Sequence, residues 1–500
     1  MMQSSGSGPR WRRFCTITGT TRSLFDRFLA QYTSRSPRCR STISARLAGC
    51  LVLLLLLTFV GQRLAAVEPM LAVGGGHSLY LTDDGSVWGW GLNDASQIDS
   101  SGDAVILEPR QLSLNDIVAV ACGNNFSAAL DRSGRVVIWG DNQLGQAGDG
   151  TTSTIPIGYP QEVTTLSHPV RAIACGQGHI IALYITGELA CWGADGRGQI
   201  GDGTINGIET KPVDIDVGMR YRAIAAGGEH SLGLTADGRV RAWGANGSGQ
   251  IGDGTSGTDR SAPAYVRNSS GAGDLSQVLG IGAGGQHSLA VLASGFAVAW
   301  GDNTFGQLGD DTTTSRSLPV SFPASAVTAV GGGARHSWLR RANGIAACWG
   351  SNDQGQCRSA VTTDTFTRPN SYSAQVLPAI ARGPMASHVL CRDQHGAVVG
   401  WGDNEYGQIG DNTEQNDRIL MTTTRAWWPV RGVVDVACGQ YHAIARGADG
   451  MLWSWGSNSQ GQSGSGSANT VTETPQAVAV VNGRILTQES FDQLVDPQRS

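Results

Sequence analysis

Short apolar runs alternate with clusters of glycine, asparagine and aspartate through most of the 500-residue chain. In AVGGGHSLYLTDDGSVWGWG (residues 72–91), two such runs flank Asp84-Gly85. Runs this brief, bounded by turn formers, predict β-strands rather than helices. An Asx-Gly or Ser-Gly pair supplies the positive φ angles of a tight hairpin, and the segments ending at Gly134, Gly238, Gly344 and Gly450 have similar pairs. The pattern is that of an all-β protein rich in hairpins.

The hairpin recurs. Trp-Gly pairs stand at Trp90, Trp139, Trp192, Trp243, Trp300, Trp349, Trp401 and Trp455, at intervals of 49 to 57 residues. Five residues before each tryptophan is a glycine, and eight before that a histidine: His77, His179, His230, His287, His336, His388 and His442, with Phe126 in the second unit. Seven residues after each tryptophan is a glutamine, from Gln97 to Gln462. The variable lengths fall between each glutamine and the next histidine, where surface loops tolerate them. In seven units a proline follows the tryptophan by 19 to 21 residues, which suits the entry to an edge strand, since proline cannot donate to a ladder. The run before each histidine, such as VVDVACGQYH, completes a small antiparallel sheet. Units of about fifty residues with four short strands predict propeller blades, covering 67–485, and the count favours eight, with seven plus an extra unit as the alternative.

These residues carry a resemblance. GxxHS, an Asx-Gly turn and then WGxNxxGQxGDGT resembles the regulator of chromosome condensation repeat family, over more than four-fifths of the chain. The resemblance implies a β-propeller, usually of seven blades in that family. Function must still be argued from a site.

The motif residues read mainly as structural. A metal or catalytic role would need several histidines together, whereas ring symmetry spreads them one per blade. They are expected to pack and to hydrogen-bond between strands, as buried polar groups must. Asp149, Asp202 and Asp253 of the GDGT stretches each stand alone, unlike the alternating carboxylates of a calcium loop. No Lys-Ser/Thr pair follows to make a phosphate loop. No cofactor or metal is expected, and without an acid-base cluster confined to one blade the chain does not read as an enzyme. Seven cysteines lie beyond the leader; Cys348–Cys357 and Cys175–Cys191 are conceivable disulfides, and buried thiols the default.

Composition adds an asymmetry. Residues 1–66 hold ten arginines and one acid, Asp26; the remaining 26 basic and 40 acidic residues give 67–500 a net charge of −14. An acidic body repels phosphates, which argues against nucleic-acid binding. Residues 1–46 read as a disordered basic leader, 486–500 as a tail, and 47–66 as a signal-peptide core or signal anchor. Leu47–Val60 is uncharged for fourteen residues, short for a spanning helix. Arg46 and Arg63 flank it and would let it span by snorkelling. A mitochondrial presequence is the competing reading of an arginine-rich, acid-poor leader. Export is the expectation, with the product secreted or held in the membrane by 47–66.

Partner binding is expected where units differ. The fourth unit has a long linker, YVRNSSGAGDLSQ, around Asn268. The seventh stretches from Trp401 to Pro429 and includes TTTRAWWPV, with Arg425, Trp427 and Trp428. Adjacent tryptophans cannot both point inward from a strand, and exposed tryptophan is an interface anchor. The reading is a monomeric exported propeller that binds a protein or other surface macromolecule through blade loops. The alternatives are inhibition of an extracellular enzyme and guanine-nucleotide exchange on a small GTPase. Light sensing fits poorly, since the residues before the histidines include Gly, Glu, Gln and Arg, and only Tyr441 is aromatic.

Overall fold

The computed structural model describes residues 67–351, 365–371, 376–380, 388–393, 398–410, 417–422, 432–466, 471–478, 480–481 and 484–485. The leader, Leu47–Val60, Arg425, Trp427, Trp428, Cys357 and the tail lie outside them. Residues 66–500 form one compact unit. Among the described residues no helix is long and apolar enough to cross a membrane.

The repeat folds as the pattern of short runs dictates. The second unit shows the plan: strands Ile117–Cys122, Phe126–Asp131, Val136–Asn142 and Ser153–Glu162, paired in that order and antiparallel. Among the described residues eight four-stranded sheets of this kind follow one another, and a small hairpin, Val480–Val481 with Arg484–Ile485, ends the described chain. The run before each histidine is the first strand, and first strands of successive sheets pack together at the centre. The hairpin glycines adopt the expected left-handed conformation, for example Gly134 at φ 88°.

Successive sheets bury their faces on one another. The second strands are mostly buried, and His179–Tyr184 wholly so, and the tryptophans at 90, 139, 192, 243, 300, 349 and 455 have no exposed surface. The last sheet returns to the first: Gly466 donates its amide to Leu107 O at 2.9 Å, and Trp90 Nε1 to Gln462 O at 2.9 Å. The chain is an all-β propeller closed by non-covalent contacts.

The prolines correct one expectation. They lie inside the outer strand rather than at its entry, because the ladder is already broken there. Opposite Trp192, Val213 pairs with Cys191 and Glu209 with Gly193, so three residues ending in Pro212 face one tryptophan. Proline's missing donor costs nothing at such a bulge. The same register puts Leu420, not Pro429, at this position of the seventh unit, since Met421 pairs with Gly400 and Asp417 with Gly402. TTTRAWWPV therefore starts at Thr422, the last residue of the fourth strand, Asp417–Thr422, and the rest of it lies outside the described residues.

A disulfide between Cys175 and Cys191 is also excluded. Both thiols are free, and strand His179–Tyr184 runs between their strands. Two ladder spacings come to about 9.6 Å, beyond disulfide reach.

Candidate interaction face

The strand directions put two kinds of connection at one end of the ring: the glycine turns before the histidines, and the loops after Trp-Gly. In WGDNQLGQAGDGT (139–151) the loop is held by its own side chains. Asn142, buried, accepts from Ala147 N at 2.9 Å and donates to Thr151 O at 3.3 Å. Gln146 Oε1 accepts from Leu144 N at 2.8 Å, and Asp149 accepts from Thr151 N and Oγ1 at 2.8 and 2.7 Å. The aspartates of the third and fourth units bond their own Thr204 and Thr255 in the same way. The carboxylates are spent on turning the chain, and no metal-ligating cluster occurs among the described residues.

Beneath the loops lies a latch between neighbouring blades. His77 bonds Ser127 of the next blade at 2.9 Å, and Ser127 Oγ donates to Gln97 O at 2.7 Å. The same chain runs through His179–Ser231–Gln199, His230–Ser288–Gln250 and His287–Ser337–Gln307. His442 closes the ring on Ser78 at 2.8 Å. A hydroxyl has one proton; where it goes to the glutamine carbonyl, the imidazole Nε2–H must donate to the serine. The glutamine oxygens also accept from the next tryptophan, as in Trp243 Nε1 to Gln199 O at 2.9 Å; Trp139 Nε1 alone of the described repeat tryptophans lacks a partner. Five of the repeat histidines thus bond across blades, not simply between strands.

Burial keeps these groups neutral. The repeat histidines are pushed down to about 3 (His77, His179, His287, His388) or about 4 (His230, His336, His442), mainly by desolvation. Burial likewise raises the Cys175 thiol to about 12 and Cys122 well above its usual range, so neither is a nucleophile at neutral pH. Close approach matters as well: a Cβ on Gly227 would sit 2.2 Å from His230 Cε1, which explains the glycine three residues before the histidine.

At the surface of the same junctions the chemistry varies. At several junctions the loop tip meets the residue that precedes the histidine of the next blade. Leu144 lies over Gly178, where an added Cβ would be 2.9 Å from its Cδ1. Arg197 faces Glu229 at 3.9 Å. The Arg335 guanidinium lies 4.9 Å from the Phe305 ring centre, and the Tyr406 and Tyr441 rings meet edge-on at 5.3 Å. The turns beneath are joined by a belt of backbone bonds, with Asn124 N donating to Gln177 O and Gln177 N to Gly228 O, each at 3.2 Å. The loop-tip partners were not visible as pairs in the sequence, although both positions keep fixed offsets from the Trp and His.

Of the sequence candidates, Asn268 is described. Its Oδ1 accepts from Ser270 N and Oγ at 3.1 and 2.7 Å, and its linker folds into a turn clamped by Arg267 and Asp274 at 2.9 Å. That turn walls a groove of about 600 Å³ beside the outer strand Arg316–Ser321, lined by Ser269, Asp310 and Leu318 among others. Asn268 shapes the turn, and the structure does not bring it to the loop-tip face.

Comparison with known proteins agrees with this architecture. The family model of the RCC1-like domain matches residues 54–383, and the regulator of chromosome condensation repeat matches 395–446 and 433–462. The chain is 28% identical to the Arabidopsis thaliana ultraviolet-B receptor UVR8, over 77% of this chain and 76% of the receptor. It is 32% identical to the mitochondrial RCC1 domain-containing protein RUG3 of the same plant, over 48% of this chain and 55% of the relative. Among solved structures, human WBSCR16 superposes with TM-score 0.58 at 23% identity, covering 72% of this chain and 99% of that one. Prp20p from Saccharomyces cerevisiae gives TM-score 0.54 at 21% identity, covering 73% and 88%. The repeat, its latch and these matches place the chain in the regulator of chromosome condensation (RCC1)-like propeller family.

Proposed function

We propose that this chain is a non-enzymatic protein-interaction module that presents the loop-tip face of an eight-bladed ring to a protein partner. The observation that carries the reading is the contrast at each junction. A repeated latch lies buried, and above it sit pairs that differ in charge, size and aromaticity. Variation on a rigid scaffold is how a repeat fold acquires a specific surface. The family supports it, since Prp20p is described by its binding to Gsp1p and histones. The eight sheets, and the return of the last to the first, support the blade number.

The test is affinity capture with the full chain. Triple substitution Arg197→Ala/Phe305→Ala/Tyr441→Ala is expected to abolish recovery of a partner that the wild type retains. Undiminished recovery overturns the face. A parallel Trp427→Ala/Trp428→Ala variant decides for the other candidate: loss there alone moves the contact to Trp427 and Trp428. We further propose export by Leu47–Val60, on its uncharged run and basic flanks. Fractionation that leaves an unprocessed product in the cytosol rejects it.

A further inference from the structure

We propose that Tyr406, Tyr441 and Glu405 form a receptor for an arginine side chain of a protein partner, which rests on the face reading and names the partner's chemistry. The argument comes from comparing equivalent positions around the ring. Where the loop tip is Phe305, the next turn supplies Arg335, whose guanidinium lies 4.9 Å from the ring centre. Where the loop tip is Arg197, the next blade supplies two carboxylates, Asp259 at 3.4 Å and Glu229 of the turn at 3.9 Å. The frame therefore accepts a guanidinium against an aromatic ring at one junction and against a carboxylate at another.

At the Tyr406 junction both complements are present and neither position is an arginine. The two rings meet at 5.3 Å and 62°; Tyr441 is 39% exposed and Tyr406 is half-buried. Gln440 Nε2 donates to the Tyr441 hydroxyl at 2.9 Å and steadies that ring. Glu405, exposed, adjoins Tyr406, and its charge is the leading influence that raises the Tyr406 hydroxyl above the usual tyrosine range. The cation has to come from outside. A planar guanidinium suits the notch better than an ammonium, because it stacks on a ring while donating to a carboxylate. The net charge of −14 over residues 67–500 favours a basic segment at long range.

The experiment measures fluorescence anisotropy of the full chain with a short labelled peptide carrying two arginines, against matched peptides with lysine, citrulline or glutamate. The arginine peptide is expected to bind tightest and the citrulline peptide about tenfold more weakly, as loss of a charge-assisted contact implies. Tyr406→Ala and Tyr441→Ala should each weaken it about fivefold, while Tyr441→Phe keeps the ring and the affinity. Glu405→Gln should weaken it and flatten its salt dependence, and Asp149→Asn, a loop carboxylate of the second unit, should change neither. Thermal melts of each variant confirm folding. Equal affinity for the arginine and citrulline peptides, or full affinity in Tyr406→Ala/Tyr441→Ala, overturns the proposal. A natural partner that this double variant recovers normally, but the Arg197→Ala/Phe305→Ala variant does not, rejects the notch and leaves the face reading standing.

Discussion

Each junction between blades has two layers that follow opposite rules. In the buried layer a histidine, a serine, a glutamine carbonyl and a tryptophan recur with nearly the same bonds. A few residues away, at the face, Leu144 over Gly178 is followed by Arg197 with Glu229, then Arg335 over Phe305. The backbone frame is common to both layers, so the difference lies in water. A buried donor left without a partner costs about 1–3 kcal/mol, whereas an exposed ion pair contributes about 0–1 kcal/mol. The ring fixes what it buries and leaves the face to specialise.

The largest expected effect tests the buried layer as a whole. Seven repeat histidines are held neutral, with pKa values of about 3 or 4 against 6.5 when exposed. Below pH 6.5 the unfolded chain takes up protons that the folded ring refuses. Stability is therefore full above pH 6.5 and falls as pH drops toward 4, by about 1.4 kcal/mol per pH unit for each proton taken up only on unfolding. The lowered carboxylates, such as Asp253 and Asp310, add their loss mainly below the ordinary value of 3.8, and Asp195, raised by burial, acts in the opposite sense, so the seven histidines dominate the window from 6.5 to 4 by number. Calorimetry across this window should show a steep fall in melting temperature; a flat profile from pH 7 to 5 contradicts the latch.

Next in size is a single tryptophan. Trp243 is fully buried and donates to Gln199 O, so Trp243→Ala removes core volume and a cross-blade bond together. A loss of about 3–5 kcal/mol is expected, read as a lower denaturant midpoint. A face substitution such as Phe305→Ala, at a half-buried loop tip, should lower that midpoint far less. If the two variants fell equally, the division into layers would fail.

Much of this was legible in the sequence. The Trp, His, Gly and Gln spacings gave strands, hairpins and the propeller, because each position meets the same neighbours in every unit. The prolines were misplaced, since spacing alone does not reveal that three residues oppose one tryptophan. The latch was half legible: the histidines stood out, but the serine that follows each of five repeat positions looked like ordinary small-residue filling. Tyr441 stands out in the sequence as an exception, yet its partner Tyr406 belongs to the preceding unit, and only folding joins them. Trp427 and Trp428, the sharpest irregularity in the sequence, lie outside the described residues.

The smaller predictions compare latches that are complete with one that is not. His388 is buried, both its ring nitrogens lack partners, and the residue at the serine position of the next blade is Ala443. Ala443→Ser should supply the missing hydroxyl and stabilise by about 1 kcal/mol, while Ser78→Ala, which strands His442 Nε2, should cost about 1–3 kcal/mol. Urea midpoints measure both; a destabilised Ala443→Ser would show that this junction is built differently.

The smallest effect belongs to the face. Arg197 and Glu229 are 57% and 51% exposed and 3.9 Å apart, so screening leaves their attraction weak. A double-mutant cycle with Arg197→Ala and Glu229→Ala should give a coupling of at most about 0.5 kcal/mol in stability. Partner affinity should respond far more strongly to the same substitutions, because a partner that covers the pair removes the water that screened it. A coupling as large in stability as in binding would mean that the pair serves the ring, and that the specialised layer begins further out than the loop tips.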